Sequence, residues 1–399
     1  CMNGESALSE QQQKSNIFRL ATAQALAGAN SVVFYATGAI VGNNLAPDNS
    51  LATLPVTVFV AGMAACILPF GQLARKYGRR TAFMTGTSSG VLTGLLAALA
   101  VITGSFSLFC LAAFFGGAYA AVAVTFRFAA TDGSAPGQHA RALSLVMGGG
   151  VIAGVIGPML VTGTMNLWPG QLFAATFLAQ ALVALISAAV LAGVKLPPVR
   201  MGAESRGRPL RELVRQPGFT RTVFSGAVSY MVMNFLMTAS PLAMHMHGIS
   251  QQDSNLGIQW HVIAMYGPGF FTGRLINRFG SNRITIAGLL ILVLSVFAGL
   301  AGTDVMHYWL SLILLGLGWN FGFTGASTQI INYHQPSEKT TVQSLNDFVV
   351  FGVMIIGSFA SGALLHLVGW NGVLWGSLVP VLLALAGLLA GQRRVTVTG

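Results

Sequence analysis

Twelve stretches of about 20 mainly apolar residues follow one another along the chain, and each is long enough to cross the hydrocarbon slab of a bilayer as a helix. Inside lipid every backbone N–H and C=O must find its partner within the segment or in a closed barrel, so runs of this length commit the chain to helices. The predicted spans are 17–42, 52–74, 81–103, 105–131, 142–164, 171–194, 222–246, 257–277, 284–302, 308–332, 341–366 and 372–391. With 54% hydrophobic and only 8% charged residues, against roughly 25% charged in a soluble domain, the fold class is an all-α polytopic membrane protein. The first residues lack a cleavable-signal pattern, so span 1 is expected to act as its own insertion signal.

The net charge of +11 would suit a nucleic-acid partner, but the cations follow topology instead of forming a basic face. If the chain starts inside, all 21 Lys and Arg fall on the inner side, so both termini are expected to be cytoplasmic and no nucleic-acid partner is expected. The predicted outer loops carry Asp48, Asp253 and Asp304 and no cation, so that face would not repel an approaching cation. Of the three cysteines, Cys66 and Cys110 lie inside predicted spans, and with Cys1 they make no disulfide framework. No phosphate-binding glycine loop and no nucleophile with a credible base is present, so the chain is not expected to be an enzyme.

Between spans 6 and 7 lies KLPPVRMGAESRGRPLRELVRQPGFTR, the longest polar stretch, with seven cations against two Glu. It divides the chain into a six-helix half (1–194), a cytoplasmic linker (195–221) and a second six-helix half (222–399). The halves echo one another: Gly71, Leu73 and Gly78 after span 2 recur as Gly273, Leu275 and Gly280 after span 8. Gly116, Pro136, Ser144 and Leu145 likewise match Gly316, Pro336, Ser344 and Leu345. Parallel repeats of this kind place a substrate path between the halves near the bilayer midplane. GQLARKYGRR, Gly71 to Arg80, resembles the G-x-L-x-D-R-x-G-R-R signature of the major facilitator superfamily, departing from it at Arg75, where the signature has Asp. The resemblance covers nearly the whole chain and implies that superfamily's twelve-helix fold in two pseudo-symmetric halves.

Span 7 contains MNFLM, with Met233 and Met237 one helical turn apart, and span 8 contains HVIAM, with His261 and Met265 at the same spacing. In an antiparallel hairpin turning at Ile249, Met237 lies at the depth of His261 and Met233 at the depth of Met265. Met is also an adaptable core filler, and that reading stays open. Three thioethers and an imidazole, all neutral, favour Cu(I) over hard cations. Pro241 cannot donate to the Met237 carbonyl, so span 7 is expected to be loosened beside this set. At the outer end, Met244, His245, Met246 and His247 are a candidate capture group for copper, or a polar loop that holds His by chance.

These paired motifs, with SLNDF in span 11, resemble those of the CcoA-like (CalT) bacterial copper importers within the superfamily. The resemblance implies that Met233, Met237, His261 and Met265 bind copper, that copper is imported across the bacterial inner membrane by alternating access, and that it supplies haem-copper cytochrome oxidase assembly. It implies no cofactor, copper itself being the substrate, with the lipid bilayer and a cytoplasmic copper chaperone as partners of a monomer.

Asp347, in span 11, costs about 2.5 to 3.5 kcal/mol to bury ionised on insertion scales unless paired. Arg75 is one candidate partner, forming an inner latch between the halves in the outward-open state; neighbouring amides such as Asn346 are another, and proton coupling is a third role. Arg127 and Asp132 lie about one turn apart and are expected to pair. Gln24, Asn30, Tyr35, Trp319 and Asn320 are candidate cavity-lining residues or helix-packing ones. GGGVIAGVIGP in span 5 suits close helix packing, and it also keeps open a proton-coupled exporter of small organic molecules or drugs.

Overall fold

Ser9 opens the first helix with a reciprocal cap: its hydroxyl accepts from the Gln12 amide at 3.2 Å, and the Gln12 side chain accepts from the Ser9 amide at 3.1 Å. The computed structural model describes residues 8–132, 139–196, 208–335 and 338–397. The first half holds α1 (Glu10–Leu45), α2 (Leu54–Tyr77), α3 (Arg79–Thr103), α4 (Phe106–Ala123), α5 (Phe126–Asp132), α6 (His139–Thr164) and α7 (Ala174–Ala192). A short linker helix, α8 (Leu210–Arg215), leads into α9 (Phe219–Met246), α10 (Gln251–Tyr266), α11 (Gly269–Phe279), α12 (Ser281–Leu300), α13 (Val305–Ile330) and α14 (Lys339–Val397).

Ten helices among the described residues are long and apolar enough to cross a membrane, and two departures from the twelve predicted spans explain the difference. α14 is two helices that abut at Gly369, where φ of +70° and ψ of −178° leave the helical region. Its apolar stretch, Leu345–Gly391, is 47 residues long, about 70 Å at 1.5 Å per residue and enough for two crossings. The eighth crossing is instead split into α10 and α11, neither long enough alone.

α9 runs continuously from Phe219 to Met246 with Pro241 inside it, whereas in the next crossing the hydrogen-bond ladder is interrupted at Gly267–Pro268, two residues that keep helical dihedrals. Pro268 has no N–H for the Ala264 carbonyl. Asn320 on α13 stabilises the break: its Nδ2 donates to the Met265 carbonyl at 2.7 Å, and its Oδ1 accepts from the Thr272 hydroxyl at 2.6 Å. The Asn320 amide is thereby committed to shaping the crossing.

The internal repeat is visible in the backbone. Gly78 (φ +91°) and Gly280 (φ +89°) each join a pair of successive helices at equivalent points, in a region that favours glycine. α4 packs on α2 through Gly116 and Gly117 as α13 packs on α10 through Gly316, where a Cβ would come within 2.5 Å of the His261 carbonyl oxygen. Pro136 and Pro336 of the second sequence register lie outside the described residues. The glycines of α6 are packing positions too: a Cβ on Gly150 would meet the Tyr266 ring at 2.9 Å, and one on Gly157 would meet Val32 at 2.8 Å.

Among the described residues, hydrogen bonds between the halves lie at mid-depth or toward the end carrying loops 46–53 and 247–250, the predicted outer end. The Thr53 hydroxyl donates to the Ser358 carbonyl at 3.0 Å, and Asn255 Nδ2 donates to the Thr162 hydroxyl at 3.0 Å. Both bonds tie the halves together at the predicted outer end, and the linker lies at the opposite end. There the linker is tied at both margins. Asn16 brackets the backbone of Lys195 with bonds of 2.6 and 3.0 Å, and Arg208 forms a bidentate pair with Glu338 at 2.7 and 2.8 Å.

Candidate functional site

Where the halves meet at mid-depth, four helices bring aromatic side chains together. Trp319 and Phe323 are one turn apart on α13 and stack with ring centroids 5.7 Å apart. Tyr230 of α9 presents its edge to both, at 5.4 and 4.9 Å, and Tyr266, at the broken end of α10, approaches Trp319 at 6.0 Å. Edge-on and stacked pairs at these distances are mutually attractive, so the rings hold each other in place before any cargo arrives. From the other half, the Tyr35 hydroxyl of α1 donates to Asn234 Oδ1 at 2.7 Å. Tyr35, Tyr230, Tyr266 and Phe323 are only half-buried and keep ring surface accessible. Arg127 of α5 lies within electrostatic range of Tyr230, Tyr266 and Asp347.

The soft-ligand residues occupy the same crossings. Met233, Met237, His261 and Met265 are 3, 4, 0 and 5% exposed, all inside the core. His261 is turned toward α13: its Nδ1 lies 2.8 Å from the Leu312 carbonyl oxygen. A carbonyl can only accept, so Nδ1 carries the proton and, in the neutral ring, Nε2 keeps a lone pair. That Nε2 is buried with no hydrogen-bond partner. α10 packs chiefly against α13 and α6 and only lightly against α9, so the α9–α10 hairpin is not the close two-helix ladder that equal depth suggested. Among the described residues, no three His, Cys, Asp or Glu side chains gather as a metal centre.

The outer group divides. Met244 is fully buried, while His245, Met246 and His247 are exposed at the end of α9, and His247 Nδ1 lies 2.7 Å from the Tyr308 hydroxyl. At the inner side Arg75 and Asp347 are both exposed, and no ion pair joins them. Asp347 Oδ1 instead accepts a long bond from Asn346 Nδ2 at 3.4 Å, and Arg127 lies within electrostatic range. The side chain of Asp132, the expected partner of Arg127, lies outside the described residues. Cys66 and Cys110 are free thiols.

Tyr35 and Trp319 were legible from sequence as cavity candidates; Tyr230, Asn234, Tyr266 and Phe323 were not singled out. The signal existed, because Tyr230 and Asn234, like Trp319 and Phe323, repeat at one helical turn, the spacing that drew notice to the methionines.

The chain matches the family model described as Major Facilitator Superfamily over residues 20–354, and again over 222–397. It is 43% identical over 365 residues to a riboflavin transporter, RfnT, of Brucella anthropi, covering 91% of this chain and 92% of that one. It is 29% identical over 399 residues to an uncharacterised transporter of the major facilitator type, YdeG, of Bacillus subtilis, covering 92% of this chain and 91% of that one. Its fold is similar to that of a bacterial homologue of the human lysosomal transporter Spinster, solved inward-facing and unoccupied, with a TM-score of 0.72 at 15% identity over 97% of this chain and 98% of that one.

Proposed function

Because the chain belongs to the major facilitator superfamily, a family of membrane transporters and not of enzymes, we propose that it carries a flat aromatic heterocycle of the riboflavin class across the bacterial inner membrane. The observation that carries this reading is the group of half-buried Tyr230, Tyr266 and Phe323 packed around the buried Trp319 between the halves, faced by the Tyr35–Asn234 pair. Ring faces offer a planar cargo stacking area, and a few polar groups fix its orientation. The relative named for riboflavin supports the same cargo class. Halves 1–194 and 222–399 rock about this site, joined by the 195–221 linker, with both termini cytoplasmic. When the inner side closes, Arg75 reaches Asp347 and latches the outward-open state.

A second reading, copper import through Met233, Met237, His261 and Met265, is favoured by one specific feature. The unpartnered Nε2 of His261, its tautomer fixed from behind by the Leu312 carbonyl, presents a lone pair of the kind a metal takes. On this reading Met244, His245, Met246 and His247 capture copper at the outer end, and the imported ion reaches a cytoplasmic chaperone and cytochrome oxidase.

Uptake of radiolabelled riboflavin and of radioactive copper by cells lacking their own routes, with and without this chain, separates the two. Riboflavin uptake that depends on the chain, with copper uptake unchanged, supports the first reading. Chain-dependent copper uptake lost in His261→Ala, with no riboflavin uptake, overturns it in favour of the second.

A further inference from the structure

Two buried hydrogen-bond donors at the aromatic group have no acceptor. Asn234 is 1% exposed; its Oδ1 is occupied by the Tyr35 hydroxyl, and its Nδ2 has no partner. Trp319 is 8% exposed, and its Nε1 likewise has none. Both belong to one locality, since Trp319 touches Tyr230 and Tyr266, and Asn234 stands one turn from Tyr230 on α9. Leaving a buried N–H unmatched is costly, and a binding site tolerates it where the cargo brings the acceptor.

We propose that Asn234 Nδ2 and Trp319 Nε1 read a carbonyl-bearing edge of the cargo, selecting a cyclic amide or imide ring over analogues whose edge accepts hydrogen bonds poorly. The assignment rests on the riboflavin-class reading of the same site. Both donors are neutral, which suits a neutral carbonyl oxygen better than a phosphate or carboxylate, whose recognition normally recruits Arg or Lys. Tyr35 is a positioning residue. By filling Oδ1 it holds the amide with Nδ2 turned to the cargo, and because Tyr35 and Asn234 come from different halves, the donor is in place only while the halves meet here. A site built to donate to a carbonyl discriminates strongly against a ligand lacking the acceptor, since the donor is then left unmatched.

The test measures uptake KM for riboflavin and for an analogue with one ring carbonyl oxygen replaced by sulfur, a weaker acceptor, at matched amounts of protein in the membrane. Wild type prefers riboflavin. Trp319→Phe, which keeps an aromatic face and removes the N–H, and Asn234→Leu each raise the riboflavin KM by about tenfold, the loss of one hydrogen bond, and bring the two KM values together. Tyr35→Phe narrows the preference by a smaller factor. Riboflavin uptake with an unchanged preference in both Trp319→Phe and Asn234→Leu overturns the donor assignment alone. A wild-type chain that moves no riboflavin and quenches no flavin fluorescence when purified overturns the cargo class, and the donor assignment with it.

Discussion

The aromatic group and the sulfur–imidazole set are interleaved on the same two crossings but differ in access. On α9 the order is Tyr230, Met233, Asn234, Met237, and on α10 it is His261, Met265, Tyr266. Tyr230 and Tyr266 keep accessible ring surface, whereas the two thioethers on α9, His261 and Met265 are at most 5% exposed. One-turn spacing therefore marks two neighbouring stripes of each helix, and residue type alone does not say which stripe faces the cleft. A planar cargo needs open ring faces; a bare cuprous ion needs only lone pairs, so a buried set can serve it if the helices part during the cycle. The comparison turns on whether the cargo meets rings or sulfurs.

The sharpest way to break the comparison is to exchange shape against chemistry. Tyr230→Ala and Trp319→Ala should each lower riboflavin uptake, as kcat/KM, by at least about tenfold, because each removes stacking area and loosens its neighbours. Met233→Leu and Met237→Leu conserve volume and should stay within about twofold. The opposite pattern in copper uptake, with the Leu substitutions abolishing transport and the Ala ones sparing it, would make the sulfur stripe the site and the rings its packing.

Much of the architecture was legible because it rests on periodicity and length. The apolar runs gave the crossings, and Gly78 and Gly280 gave a repeat whose two positive-φ turns are present. The location of the helix break was not legible, because proline chemistry applies equally to Pro69, Pro241 and Pro268. What singles out Pro268 is its setting between Gly267 and Gly269 and an asparagine on another helix that takes the Met265 carbonyl. Asn320 stays open in the sequence between lining a cavity and packing helices for the same reason: sequence shows an amide in a membrane span, and only the fold shows that both its ends are already engaged. At the site, depth on a hairpin was a poor guide to partners, since His261 Nδ1 bonds the Leu312 carbonyl of α13 and α10 packs only lightly against α9.

A second, smaller effect follows from that amide. Asn320→Ala leaves the Met265 carbonyl without its side-chain donor, while the Thr272 hydroxyl keeps the Pro268 carbonyl at 2.7 Å, and removing one partner of a buried hydrogen bond costs about 1–3 kcal/mol. The purified protein should melt at lower temperature, and riboflavin KM should rise because Tyr266 is the last residue before the break. Unchanged melting with raised KM would move Asn320 from scaffold to site and extend the polar rim of the cleft beyond Asn234.

The smallest expected effect lies farthest from the rings, at the Arg208–Glu338 pair that ties the linker to the second half. The Arg208 guanidinium and the Gln335 and Arg208 amides hold the Glu338 carboxyl down to about 2. A carboxyl whose pKa is depressed in the folded state contributes its docking above the ordinary carboxylate range and loses it only as pH falls through the depressed value. Hydrogen exchange at the Arg208 and Gln335 amides, corrected for the intrinsic rate, should therefore be flat from about pH 8 to about pH 5. It should speed up severalfold in Glu338→Ala at every pH in that window, with transport changed little. Protection that falls within that window would mean that a group other than the Glu338 carboxylate governs the linker instead of the ion pair. The inner end would then be the pH-sensitive region of the molecule, in contrast to a cleft built from neutral donors and rings.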